Sequence, residues 1–64
     1  MKAVVIINGK EITVEGKDLT IDTNMFSNEL TVFDRASESN VFTCNRNVVD
    51  YAYIVTGGEQ NESN

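Results

Sequence analysis

The chain contains no histidine, no proline, no tryptophan and a single cysteine, Cys44, in 64 residues. Without histidine it lacks the commonest general base and metal ligand of enzymes working near neutral pH. One cysteine cannot close an internal disulfide, and the zinc sets built from cysteine and histidine are absent. Cys44 has no activating base or cation beside it in the sequence, which predicts a packed or half-exposed thiol that behaves as a small hydrophobe. The alternation of Phe42 and Cys44 against Val41 and Thr43 leaves its face open. These absences predict a protein that is not an enzyme and carries no cofactor and no metal. The lack of proline leaves every strand eligible for a central position in a sheet.

A long apolar run is also missing. Ala3 to Ile7 is apolar, but Asn8-Gly9 interrupts it, and five residues are too few for a signal-peptide core or a membrane span. The expectation is a cytoplasmic protein with no membrane partner. Basic residues are scarce: five Lys and Arg against ten Asp and Glu give a net charge of −5. Two of the acids, Glu59 and Glu62, lie in the final segment, so residues 1–55 carry eight acids against five bases, or −3. That balance disfavours nucleic acid, which calls for clustered Lys and Arg, and needs no explanation beyond solubility. Glu15, Asp18 and Asp22 make the densest acidic patch, but they lack the alternate ligands and central glycine of a calcium loop and read as a solvated strand edge.

What is present is β-pattern. Asn8-Gly9 between two apolar or alternating stretches is the sequence of a two-residue type I′ hairpin, in which both turn residues take positive φ. The register follows: Ile7 faces Lys10, Val5 faces Ile12 and Ala3 faces Val14. The opposite side carries Val4 and Ile6 on the first strand but Glu11, Thr13 and Glu15 on the second. A first strand apolar on both sides belongs in the centre of a sheet or at an interface. Leu19 and Ile21 alternate with Thr20 and Asp22 in a third short strand, Leu30 and Val32 with Thr31 and Phe33 in a fourth, and Val41 to Cys44 form a fifth. Between the third and fourth, Met25 and Phe26 are the apolar residues of a polar connection and are expected to cap an open end of the core. Asp34 to Glu38 could form a single helical turn.

Val48 to Val55 is the longest β-rich run, and strict alternation places Val49, Tyr51, Tyr53 and Val55 on one face. Tyr51 and Tyr53 then serve either as core or subunit interface, or as a platform on which a ligand stacks. Before this strand, Asn45-Arg46-Asn47 forms a tight turn whose guanidinium could hold a phosphate or carboxylate, a site that symmetry would concentrate in a ring of subunits. The candidate ligand-binding residues are therefore Arg46, Asn45, Asn47, Tyr51 and Tyr53. The expected fold is all-β: a small antiparallel bent sheet or a five- to six-stranded SH3/Sm-like barrel over residues 1–55, with a two-layer sandwich completed by a partner chain as the other arrangement open to so short a chain. Residues 56–64, TGGEQNESN, are expected to be a disordered polar tail. So small a core with neither disulfide nor zinc set points to homo-oligomerisation as the remaining source of stability.

The layout of VVIINGKEITV and NVFTCNRNVVDYAYIV resembles the small proteins of phages and prophages of Gram-positive bacteria. It is also loosely similar to the Sm-like fold, whose late turn binds RNA, although an N-terminal helix and the His or Lys of that turn are lacking. The phage resemblance implies a non-enzymatic oligomeric protein that inhibits or sequesters a host factor or signalling nucleotide, in the manner of an anti-defence protein, its partner being a host protein or small anionic ligand. Two other classes stay open: a structural or assembly module of a virion tail or baseplate, and a single-stranded nucleic-acid binder using Arg46, Arg35 and the tyrosines.

Overall fold

Asn8 and Gly9 take φ of 51° and 80°, both positive as a type I′ turn requires, and the strands beside them pair in the register the sequence predicts. The computed structural model describes residues 1–56. Strand β1 spans Lys2–Ile7, β2 Lys10–Glu15, β3 Leu19–Asn24, β4 Glu29–Asp34, β5 Ser39–Asn45 and β6 Val49–Val55, with one turn of 3₁₀ helix at Arg46–Val48. The expected polar tail lies outside the described residues apart from Thr56. The described 3₁₀ turn is too short to cross a membrane, and no other helix is described.

The fold is all-β and antiparallel. The six strands form two three-stranded sheets, ordered β2-β1-β6 and β3-β4-β5. β1 is central in the first, as its apolar residues on both sides predict. Val5 pairs with Ile12 on one flank and Ala52 on the other, and it is fully buried. Ala3, Val5, Leu19, Leu30 and Val32 form one core cluster, with Ile7, Val14, Ile21, Phe42, Cys44, Val49, Ala52 and Ile54 packed around it. The two sheets thus share a single apolar layer, and each turns its other face outward.

Cys44 lies on the inward side of β5, opposite Leu30. Burial pushes its thiol above its ordinary value, which disfavours the reactive thiolate. This is the small hydrophobe that the sequence predicts.

Three expectations are corrected. Met25 and Phe26 do not cap the core: Met25 is 75% exposed and Phe26 fully exposed. Asn24 Oδ1 accepts from the N–H groups of Phe26 (2.9 Å) and Ser27 (3.2 Å), an Asx-type turn at the hairpin tip. Asp34 to Glu38 is not helical. Asp34 ends β4, and the following turn closes with Glu38 at φ 57°, while the single helical turn forms at Arg46–Val48 instead. Finally, Val49 does not share a face with Tyr51 and Tyr53. The β1–β6 register shifts between Ile6 and Ile7, so that Ile6 faces Tyr51 but Ile7 faces Val49. Asp50 is the extra residue of this bulge, which turns Val49 onto the core side.

The two sheets are joined through a carboxylate. Asp34 is 7% exposed. Its Oδ2 accepts from Lys17 N–H (3.3 Å), and its Oδ1 from Asp18 N–H (3.1 Å) and Ala36 N–H (2.9 Å). Burial pushes the carboxyl up, but the backbone donors of Ala36, Lys17, Asp18 and Ser37 outweigh it and hold the group below its ordinary value of 3.8. Gly16 completes the junction: a Cβ there would lie 2.5 Å from Leu19 Cδ2 and 2.9 Å from Asp34 Oδ2. Only glycine leaves room for this carboxylate to reach the β2–β3 connection.

Candidate binding face

Side chains alternate across a strand, so the residues of β1 and β6 that do not enter the core appear together on the outside of the first sheet. Cross-strand pairing sets Ile6 beside Tyr51, Val4 beside Tyr53 and Lys2 beside Val55. On the other flank of β1, Glu11, Thr13 and Glu15 lie opposite Ile6, Val4 and Lys2. The result is a flat face with an apolar centre, two carboxylates and one ammonium at its margin.

The tyrosines dominate this face. Their ring centroids are 6.1 Å apart and the planes 14° from parallel. Tyr51 is 60% exposed and Tyr53 45%, whereas Val4 beside them is 5% exposed although it stands outside the core cluster. The rings shelter Val4 from water and themselves remain open to it. Of the two roles the sequence left open, core packing is therefore replaced by an outward face able to bind. The bulge decides it: Asp50 Oδ2 accepts from Gly9 N–H at 2.9 Å, tying β6 to the first hairpin where the register shifts.

The other candidate residues lie elsewhere. Asn45 is the N-cap of the 3₁₀ turn, and its Oδ1 accepts from Asn47 N–H at 2.8 Å. Arg46 donates its backbone N–H to Asn28 O at 2.9 Å, and its side chain is exposed. No hydrogen bond, ion pair or ring contact among the described residues joins Arg46 to either tyrosine. The five residues thus divide into a turn bonded to itself and to Asn28, and an outward aromatic pair.

Two concave regions stand out among the described residues. One, of about 450 Å³, is lined by Met1, Lys2, Glu15 and Gly16. The other, of about 590 Å³, lies beside the β3–β4 tip and includes Asp22, Asn24, Met25, Phe26 and Glu29. Neither includes a tyrosine or Arg46. Asp18, from the expected acidic patch, pairs with Arg35 at 3.1 Å across an exposed surface, and no group of three or more metal-ligating side chains occurs among the described residues. Val4, buried beneath the rings, and Ile6 share this outer side, which the sequence marked only as a second apolar side of β1. Set against protein-family models, curated proteins and solved structures, the chain matches none of them.

Proposed function

We propose that this protein works by binding and not by catalysis, as a phage-type, homo-oligomeric accessory protein that inhibits a host protein through the outer face of its first sheet. The observation that carries this reading is the exposed, near-parallel pair Tyr51 and Tyr53 standing over Val4. Tyrosine offers a large rigid area at low entropic cost and is enriched among the residues that dominate interface energies.

Flatness favours a macromolecule over a small ligand. Small molecules bind in concave sites, and the tyrosines line neither of the two hollows described above. Charge favours protein over nucleic acid, because Glu11 and Glu15 outnumber Lys2 on this face and the whole chain carries −5. The complementary partner is an apolar protein surface with a basic rim. A host protein answers that description better than a signalling nucleotide. A role in virion assembly draws on no feature of this face.

The test compares the wild type with a Tyr51→Ser/Tyr53→Ser variant, each immobilised and exposed to extract of a Gram-positive host. The expected result is one stoichiometric partner with three marks: it is lost with the double variant, released as salt rises, and joined to a photoreactive phenylalanine at position 51 but not at 43. Retention that is indifferent to the tyrosines overturns the reading. Excess 260 nm absorbance in the purified protein, removed by Arg46→Ala, would move the activity to nucleotide sequestration.

A further inference from the structure

We propose that the free edge of β6 pairs with β6 of a second copy, antiparallel about a two-fold axis at Tyr53, to make one continuous six-stranded sheet. This rests on the homo-oligomeric part of the reading above and gives it an interface.

The direction of the free backbone groups follows from the first turn. In a two-residue hairpin the residues flanking the turn exchange both hydrogen bonds, so Ile7, Val5 and Ala3 direct their N–H and C=O groups toward β2. Lys2, Val4 and Ile6 then direct theirs toward β6, where they meet Val55, Tyr53 and Tyr51. Ala52 and Ile54 consequently point theirs away from β1. β6 has β1 as its one hydrogen-bonded strand neighbour among the described residues, with β3 of the other sheet packed against it but not paired to it, so these groups form a template for another strand.

The sequence along this edge is self-complementary. A two-fold axis at Tyr53 sets Ala52 opposite Ile54 of the second copy, in two pairs that satisfy the free N–H and C=O groups of both chains. It sets Tyr51 opposite Val55 and Tyr53 opposite its own equivalent, in the positions where side chains approach most closely. Each outward row then crosses the junction without a break: Thr13, Val4 and Tyr53 of one copy continue into Tyr53, Val4 and Thr13 of the other. Inward, Ala3 and Ile54 continue into Ala52 and Val5.

Charge selects this edge over those of β2 and β3, and continuity selects it over β5, because the register shift in β6 lies before Tyr51 whereas that in β5 falls within the strand. β2 carries Lys10, Glu11 and Glu15, β3 carries Asp22, and β5 is interrupted by a register shift opposite Val32 and Phe33. On β6 the residues from Tyr51 to Val55 are uncharged, and Asp50 is bonded back to Gly9. Two chains of net charge −5 meet where neither has a charge to repel the other. Five residues per chain is a short junction beside the ~800 Å² per partner of a standard interface, so the dimer is concentration-dependent.

Sedimentation across a concentration series to about 1 mM, the scale of a weak association, tests this first. The expected result is a reversible dimer for the wild type and a folded monomer for Ala52→Pro, which removes a donor from the free edge but none from the β1 ladder. A wild type that stays monomeric throughout, or a folded Ala52→Pro that still dimerises, overturns the pairing. If Ala52→Pro does not fold, single cysteines in a Cys44→Ala background decide. Under copper-phenanthroline oxidation, Tyr53→Cys should cross-link between chains, whereas Tyr51→Cys and Thr13→Cys should not. Equal or absent cross-linking at all three positions overturns the register. Partner retention from host extract is scored separately on the same variants: a retained host partner without a dimer defeats the pairing alone, and a dimer without a partner defeats host-protein binding alone.

Discussion

The two sheets of this protein bury comparable inner faces and differ on the outside. The second sheet presents Asp22, Asn24, Glu29, Thr31 and Thr43, with Phe33 half-buried among them. The first presents Val4, Ile6, Tyr51, Tyr53 and Val55. One outer face is mostly polar and the other largely apolar. The difference teaches that apolar content along a strand is not by itself evidence of a core. β1 is apolar on both sides because it serves two surfaces, one inside the protein and one at its exterior.

The sharpest way to break the shared layer beneath both sheets is Val5→Asp. It places an unpaired carboxylate at a fully buried position between Ile12 and Ala52, a change that costs several kcal/mol. No cooperative thermal transition should remain, and a variant that melts like the wild type would falsify the register on which the division into two faces rests.

Gly16→Ala attacks the junction between the sheets. The added methyl meets Leu19 and Asp34 inside contact distance, and a loss of about 1–3 kcal/mol is expected from such overpacking. It should appear as a lowered denaturation midpoint with an unchanged denaturant slope. A midpoint equal to that of the wild type would show that the junction yields.

Asp34→Asn tests the same junction through pH. The native carboxyl lies below its ordinary 3.8, so between the native and unfolded values the unfolded chain binds more protons. Stability from Asp34 is therefore complete above the unfolded value and declines as pH falls through the native one. The wild type should lose melting temperature more steeply than Asp34→Asn in that acidic range. Parallel curves would remove Asp34 as the cause.

The smallest expected effect on folding sharpens the contrast between the outer faces. Tyr51→Thr changes an exposed side chain on the first sheet and should alter stability by less than about 0.5 kcal/mol, while weakening association with a partner. A large loss of stability in the isolated protein would mean that Tyr51 packs as core, and the distinction between the faces would collapse.

Much of the architecture was legible in the residues. Asn8-Gly9 dictated the first turn because few residues accept positive φ, and the turn fixed the pairing of Ala3, Val5 and Ile7 with β2. Alternation placed Leu30 and Val32 on one face of a fourth strand, and the structure buries that face in the core. The candidate site was legible only in part: Tyr51 and Tyr53 stand out as residue types, but strict alternation gave them Val49 as a neighbour. A bulge changes parity by one residue, and no local pattern around Asp50 announces it.

Local sequence thus determined the turns, the strands and the face on which most residues lie, because φ preferences and the two-residue period act between near neighbours. Contacts distant in the chain decided the rest. Asp50 reaches Gly9 across 41 positions, and Asp34 gathers the N–H groups of Lys17 and Asp18 from 17 and 16 residues away. Met25 and Phe26 look like core residues, yet neither packs against the core cluster and both stand in solvent. Which apolar residues become interior and which become surface depends on how the two sheets meet, and that is settled by long-range hydrogen bonds and packing rather than by any short stretch of the chain.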